Sequence, residues 1–399
     1  MKAVWIILLL WVVSLGLTAK PNEQNTYKHT QICFYGDTLN LNIDPASVVG
    51  FNDCLNDESI ETFYQQLERS DYQSIVGSMK RYKEIHQPDD WLYYQLVRKV
   101  AQHISPKAEN YQRYTLYKWF LLSKSGYDAT LCVAGDQILF YVRCEENIYD
   151  IPFFHKDDRK YVCLNYHDYG KVDFAKVRFS QIGVHAPEAT SPFSYRLTHL
   201  PAFSPKDYQE KELAFNYYDV ECRLKVKVNE QVKKIFNNYP VTDYGQYFDA
   251  PLSAETYQSL IPQLKKNMKD MDVRTGVDYL MRFTRYAFNY QPDMEVYGKQ
   301  KRMTPEQTLL YDQSDCKDRA ALFYCLVKEI YHLPMIAMEF PNHLTIAVKF
   351  DKPIGTPILY NGNMYSVCEP TPQSEDLAIG DLSREYQQQK FEVAYVYNP

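Results

Sequence analysis

Apolar residues first recur at a helical spacing at Ile60, Phe63, Tyr64 and Leu67, which share one face at i, i+3, i+4 and i+7. A second helix is predicted over Trp91–Ile104, with Asp89 or Asp90 placed to cap it and Pro106 just beyond its end. A third runs from about Glu109 to Lys124 and stops at Gly126, which can take the left-handed conformation of a helix cap. The period then changes to that of strands. Asp128–Val133, Gln137–Cys144 and Lys160–Tyr166 are short runs rich in Val, Leu, Phe and Tyr, separated by polar breaks. The β-like pattern continues to about residue 250. Ser194–Leu200 and Leu213–Val228 are its best strands, a short helix falls near Glu230–Phe236, and Pro240–Leu252 reads as a linker. Residues 20–55 carry little periodicity and read as a loosely structured lead-in.

From Ser253 onward helices return, over Ser253–Met271 and Val273–Phe288, and Pro262 is expected to kink or divide the first. Thr304-Pro305-Glu306-Gln307 is a helix start: a capping threonine, a proline in the first turn and a glutamine three residues after the cap. The helix Cys316–Tyr331 is apolar on every side from Ala320 to Val327, a pattern suited only to the inside of a domain. Strands are predicted at Met335–Phe340, His343–Phe350, Ile358–Tyr360, Met364–Glu369 and Lys390–Tyr397, with Asn361-Gly362 as a tight hairpin turn. The fold class is α+β. A C-terminal domain at 251–399 sets a central Cys-bearing helix on an antiparallel sheet, after a helical region at 20–126 and a β-rich region at 127–250. Tyr114–Ala129 and the strands after it resemble Leu322–Ala337 and the strands after it. Matching the two alanines places Ala108 opposite Cys316, so a degenerate first copy, drawn from 109–126 and 127–168, would lack that thiol.

Lys2, the apolar run Ala3–Leu17 and the small residue Ala19 form an export signal over residues 1–19, which predicts a periplasmic or extracellular protein. The run is short for a membrane span, and none follows it. A net charge of −6 and a pI near 5.9 leave no electrostatic footprint for nucleic acid. The 36 tyrosines fall within amphipathic elements and are read as half-buried packing rather than a sugar-binding surface. Nine cysteines is an odd number, so at least one thiol is free or bonded elsewhere. Cys132 with Cys144, Cys33 with Cys54, and a fully reduced chain all remain open. There is no HExxH, CxxC, GxSxG or phosphate-binding glycine loop, and His167-Asp168 reads as a turn, so no cofactor or metal is expected.

Chemistry gathers at three places. With Asp315 as cap, Cys316 sits in the first turn of its helix, where orphan N–H groups and the positive helix end stabilise a thiolate. The Cys316 amide can also donate to a developing oxyanion, and Asp318 can reach back to complete the cap. His343 lies on the strand face opposite Leu344, Ile346 and Val348, looking outward or into a cleft, as a general base beside a thiol should. Glu369 ends a strand, where a carboxylate can orient an imidazole. Cys325 and Cys368 read as structural.

These residues carry a resemblance. Ser314-Asp315-Cys316-Lys317-Asp318-Arg319-Ala320 resembles the Gly-Asp-Cys-(Glu/Lys)-Asp signature of the transglutaminase-like superfamily of papain-like cysteine enzymes. Thr304–Leu310 looks like that family's short helix before the cysteine, Leu333-Pro334 like the turn after the catalytic helix, and Cys368-Glu369-Pro370-Thr371 like its Asp-Pro-Thr ending. The likeness covers about residues 253–375, roughly a third of the chain. Ser314 stands for the usual glycine, Glu369 for aspartate, and the gap from Cys316 to His343 is short. The resemblance implies an exported thiol enzyme with Cys316, His343 and Glu369 as catalytic residues and a peptide or protein as substrate. Cys316 would attack an amide carbonyl, and the acyl group would pass to water or to an amine. The alternative it allows is an inactive interaction or assembly module on the same fold.

Overall fold

The computed structural model describes residues 27–52, 54–169, 177–292, 295 and 301–399, so the expected export signal lies outside the described residues. The chain opens on an antiparallel hairpin, β1 (Lys28–Phe34) with β2 (Asp37–Ile43). Residues 28–43 of the lead-in thus form a hairpin: Leu39, Leu41 and Ile43 alternate with polar residues and bury one face. The alternation spans a single short strand, too little to announce a sheet.

Four helices follow, α1 (Asp57–Glu68), α2 (Tyr72–His86), α3 (Asp90–Ile104) and α4 (Tyr111–Lys124). Asn110 caps α4 by accepting the Arg113 amide at 2.8 Å. Asp89 precedes α3, but its carboxylate accepts the amide and hydroxyl of Thr198 instead. Next come β3 (Ala129–Ala134), β4 (Gln137–Arg143), β5 (Phe153–Lys156), β6 (Arg159–Cys163) and β7 (Ser180–Gln181), in the sheet order β5-β6-β4-β3-β7.

Ser194–Leu200 is not a strand. Carboxylates take its amides, Asp90 that of Ser194, Glu146 that of Tyr195 and Asp89 that of Thr198, so the segment is satisfied without a ladder. Leu213–Val228 divides into a hairpin, β8 (Tyr208–Tyr217) with β9 (Val220–Asn229). Its turn runs through Tyr218 at φ 51°, a left-handed position filled without glycine. The helices α5 (Gln231–Phe236) and α6 (Tyr244–Phe248) follow, and α6 gives the expected linker a packed turn that buries Tyr247 and Phe248.

The last part comprises α7 (Ala254–Asn267), which continues through Pro262, then α8 (Val273–Tyr286), β10 (Asn289–Tyr290), α9 (Pro305–Leu310), β11 (Gln313–Ser314) and α10 (Cys316–Tyr331). The strands β12 (Met335–Phe340), β13 (His343–Val348), β14 (Ile358–Tyr360), β15 (Asn363–Cys368) and β16 (Glu392–Tyr397) form an antiparallel sheet in the order β14-β15-β13-β12-β16. The molecule is mixed α+β. Among the described residues no helix is long and apolar enough to cross a membrane.

Counted from the buried helix before each, the two five-stranded sheets have the same strand order. The alanines are not the matching points, since Ala129 opens β3 whereas Ala337 is third in β12. Hairpin closure sets the register instead: Ala134 pairs with Gln137, and Phe340 with His343. By that register and by the caps Asn110 and Asp315, the residues opposite Cys316, His343 and Glu369 are Tyr111, Gln137 and Asn165, not Ala108. All nine cysteines are free thiols. Cys132 faces Leu139 across its hairpin, and Cys144 lies past the end of β4, so those two do not oppose each other.

Candidate active site

The start of α10 is organised by reciprocal capping. Asp315 Oδ1 accepts the amides of Lys317 at 2.8 Å and Asp318 at 3.2 Å. Asp318 Oδ2 accepts the Asp315 amide at 3.0 Å, and its other oxygen accepts the Met303 amide at 2.9 Å, tying α10 to the approach of α9. α9 carries its own capping box between Thr304 and Gln307. The Asp315 carboxylate thus occupies the second and third amides of α10 and leaves that of Cys316 for another acceptor.

The structure brings the three expected residues together. His343 opens β13, and its Nε2 lies 2.7 Å from Glu369 Oε2. Cys316, at the first turn of α10, lies near enough to the same ring to act on its charge. With Nε2 engaged by the carboxylate, Nδ1 is the nitrogen left for sulfur. Burial pushes the imidazole pKa down, but hydrogen bonds and charge from Cys316 and Glu369 outweigh it and raise the value to about 10. The ring therefore holds its proton through neutral pH.

Glu369 spans the gap despite its extra methylene because its backbone is fixed. Its carbonyl accepts Arg285 Nε at 3.0 Å and Nη2 at 2.6 Å, while Arg285 Nη1 reaches Asp376 at 2.7 Å. Its second carboxylate oxygen accepts the Thr371 amide at 2.9 Å. Arg319 is buried one turn into α10 and donates to Ser314 Oγ at 3.0 Å, the Arg285 carbonyl at 2.5 Å and the Phe288 carbonyl at 2.8 Å. Burial pulls its pKa down to about 10. Ser314, in a position where glycine would offer no partner, thus anchors a guanidinium beside the thiol. Arg285 and Arg319 are the site residues that the sequence reading missed. The one available signal was a charged residue on a helix otherwise buried all round.

Of the two placements expected for His343, outward or into a cleft, the first fails. His343 does not look outward: it is 5% exposed, Cys316 6% and Glu369 0%. The face it shares with Ala347 is covered by the segment between β15 and β16, whose Tyr386, Leu382 and Phe391 pack on Ile336, Met338 and Phe340. Tyr386 stacks on the imidazole with ring centroids 4.6 Å apart and planes at 13°. Replacing Tyr386 by alanine is expected to speed iodoacetamide labelling of Cys316 severalfold, followed by intact mass with Cys316→Ala as the blank. An unchanged rate would mean that Tyr386 is not the barrier.

His167-Asp168 lies in a single 3₁₀ turn, and burial lowers the His167 pKa to about 4. Among the described residues no group of three His, Cys, Asp or Glu side chains is placed to hold a metal ion. Compared with protein-family models, curated proteins and solved structures, the chain shows no significant match to any of them. The functional reading therefore rests on the geometry.

Proposed function

We propose that the chain is an exported thiol enzyme of the transglutaminase-like kind, acting on peptide or glutamine side-chain amides. The observation that carries this reading is the buried imidazole–carboxylate pair acted on by the Cys316 thiol, with that thiol at a helix N-terminus. In this mechanism the thiol proton already rests on His343, and sulfur adds to the amide carbonyl. The Cys316 amide donates to the oxyanion as it forms. As the C–N bond breaks, His343 returns the proton to the departing amine and a thioester remains. Water or a second amine then attacks the thioester, giving its proton to His343, and the thiol is released. Glu369 holds the ring in the working tautomer and balances its positive charge.

The test is direct. The full chain is incubated with glutamine-containing peptides, with and without a fluorescent primary amine, and products are read by mass spectrometry. A thioester mass on the wild type that is missing from Cys316→Ala supports the reading. Equal turnover by the two proteins overturns it.

A second reading, an inactive interaction module, is favoured by the closed site beneath Tyr386 and by Tyr111 and Asn165 in the corresponding places of the N-terminal unit. There the two side chains hydrogen-bond each other at 2.8 Å, and a tyrosine stands in place of the cysteine. Selective alkylation separates the readings: in an enzyme the buried Cys316 reacts faster than the exposed Cys33 and Cys54, and in a scaffold it does not.

A further inference from the structure

Away from Cys316, a cleft of about 520 Å³ lies among α3, α5 and the turn of the first hairpin. Every charged side chain on its wall is a cation: Arg98 and Lys99 from α3, Lys107 ahead of α4, and Lys233 and Lys234 from α5. The chain as a whole carries a net charge of −6, so this concentration is local rather than a background of basic surface. Two of the cations are already answered, Lys107 by Asp168 at 2.5 Å and Lys233 by Glu230 at 2.7 Å. Lys99 donates to the Cys33 carbonyl at 3.0 Å. Among the described residues, Arg98 and Lys234 meet no carboxylate within ion-pair distance, and they come from different helices, α3 and α5.

A second, independent feature points to a ligand. Gln95 lines the same cleft and is only 7% exposed. Its Oε1 accepts Arg98 Nη1 at 3.0 Å, which fixes the orientation of the amide. The Nε2 that this leaves is buried and donates to nothing. A buried donor without a partner is costly, and an incoming oxygen would satisfy it. The volume suits a small organic molecule rather than a polymer.

We propose that this cleft binds a small organic anion with at least two phosphate or carboxylate groups, one held by Arg98 and Gln95 and another by Lys234. Isothermal titration of the full chain with pyrophosphate and with citrate tests it. One-site binding of either anion, weakened by added salt, is expected, and the tighter of the two names the anionic group. Arg98→Gln and Lys234→Gln should each weaken it roughly tenfold, whereas Lys265→Gln/Lys266→Gln on α7, which does not line the cleft, should not. Lys234 is exposed and unpaired, so its variant carries the test even where Arg98→Gln fails to fold. Binding of neither anion, or equal weakening by the α7 control, overturns the proposal.

Discussion

Replacing His343 by glutamine is expected to slow acylation of Cys316 by roughly 10²–10⁴-fold at neutral pH, the range that positioned proton transfer supplies. The measurement is the nitrophenolate burst from p-nitrophenyl acetate, with Cys316→Ala setting the zero. Glutamine fills much of the imidazole volume and can still hydrogen-bond Glu369, so the fold around β13 should survive. It cannot take a proton from sulfur. The effect should therefore fall on the rate of the burst and not on its amplitude at long times. Glu369→Gln keeps a hydrogen-bonding oxygen 2.7 Å from the ring but removes the charge, and its loss should be smaller. That ordering is what an orienting carboxylate predicts, because Glu369 acts through the ring rather than on the substrate. A burst from His343→Gln as fast as that of the wild type would leave the imidazole without a chemical role.

The site was legible in the sequence where its physics is local. A cap, a thiol one residue later and an acid three residues after the cap all lie within one turn of α10, so their spacing alone placed Asp315, Cys316 and Asp318 correctly. The strands β12 and β13 and the Asn361-Gly362 turn were legible for the same reason. Enclosure of the site was not. It depends on Tyr386, Leu382 and Phe391, which sit in a segment without helical or strand periodicity and reach the sheet only through tertiary packing. Arg285 and Arg319 were missed for a related reason: their partners are mostly backbone carbonyls, which leave no trace in side-chain patterns. Ser194–Leu200 was misread because alternation reports which side chains are buried and says nothing about whether a neighbouring strand or a carboxylate takes the amides. The duplicated strand order shows the same limit. Similar helix–strand patterns suggested it, but the register came from hairpin closure, and that moved the residue opposite Cys316 from Ala108 to Tyr111.

Replacing Glu369 by alanine is expected to cost about 3–5 kcal/mol of folding stability below neutral pH, as removal of one partner from a buried ion pair does. Both side chains are almost wholly enclosed, so water cannot replace the lost carboxylate. The Thr371 amide loses its acceptor as well. The pH dependence follows from His343. Its folded pKa, about 10, lies above the ordinary 6.5, so the folded state binds the proton more tightly than the unfolded chain. The resulting stabilisation is complete below about pH 6.5 and is lost as pH rises through about 10. Urea unfolding of wild type and Glu369→Ala should therefore differ most at the acidic end of that window and converge above it. The Thr371 contribution does not titrate and should persist as a constant offset. A gap between the two proteins that stays the same across the whole window would mean that the pair is held as a neutral hydrogen bond. The proton would then have to reach the departing amine from a group other than a resting imidazolium.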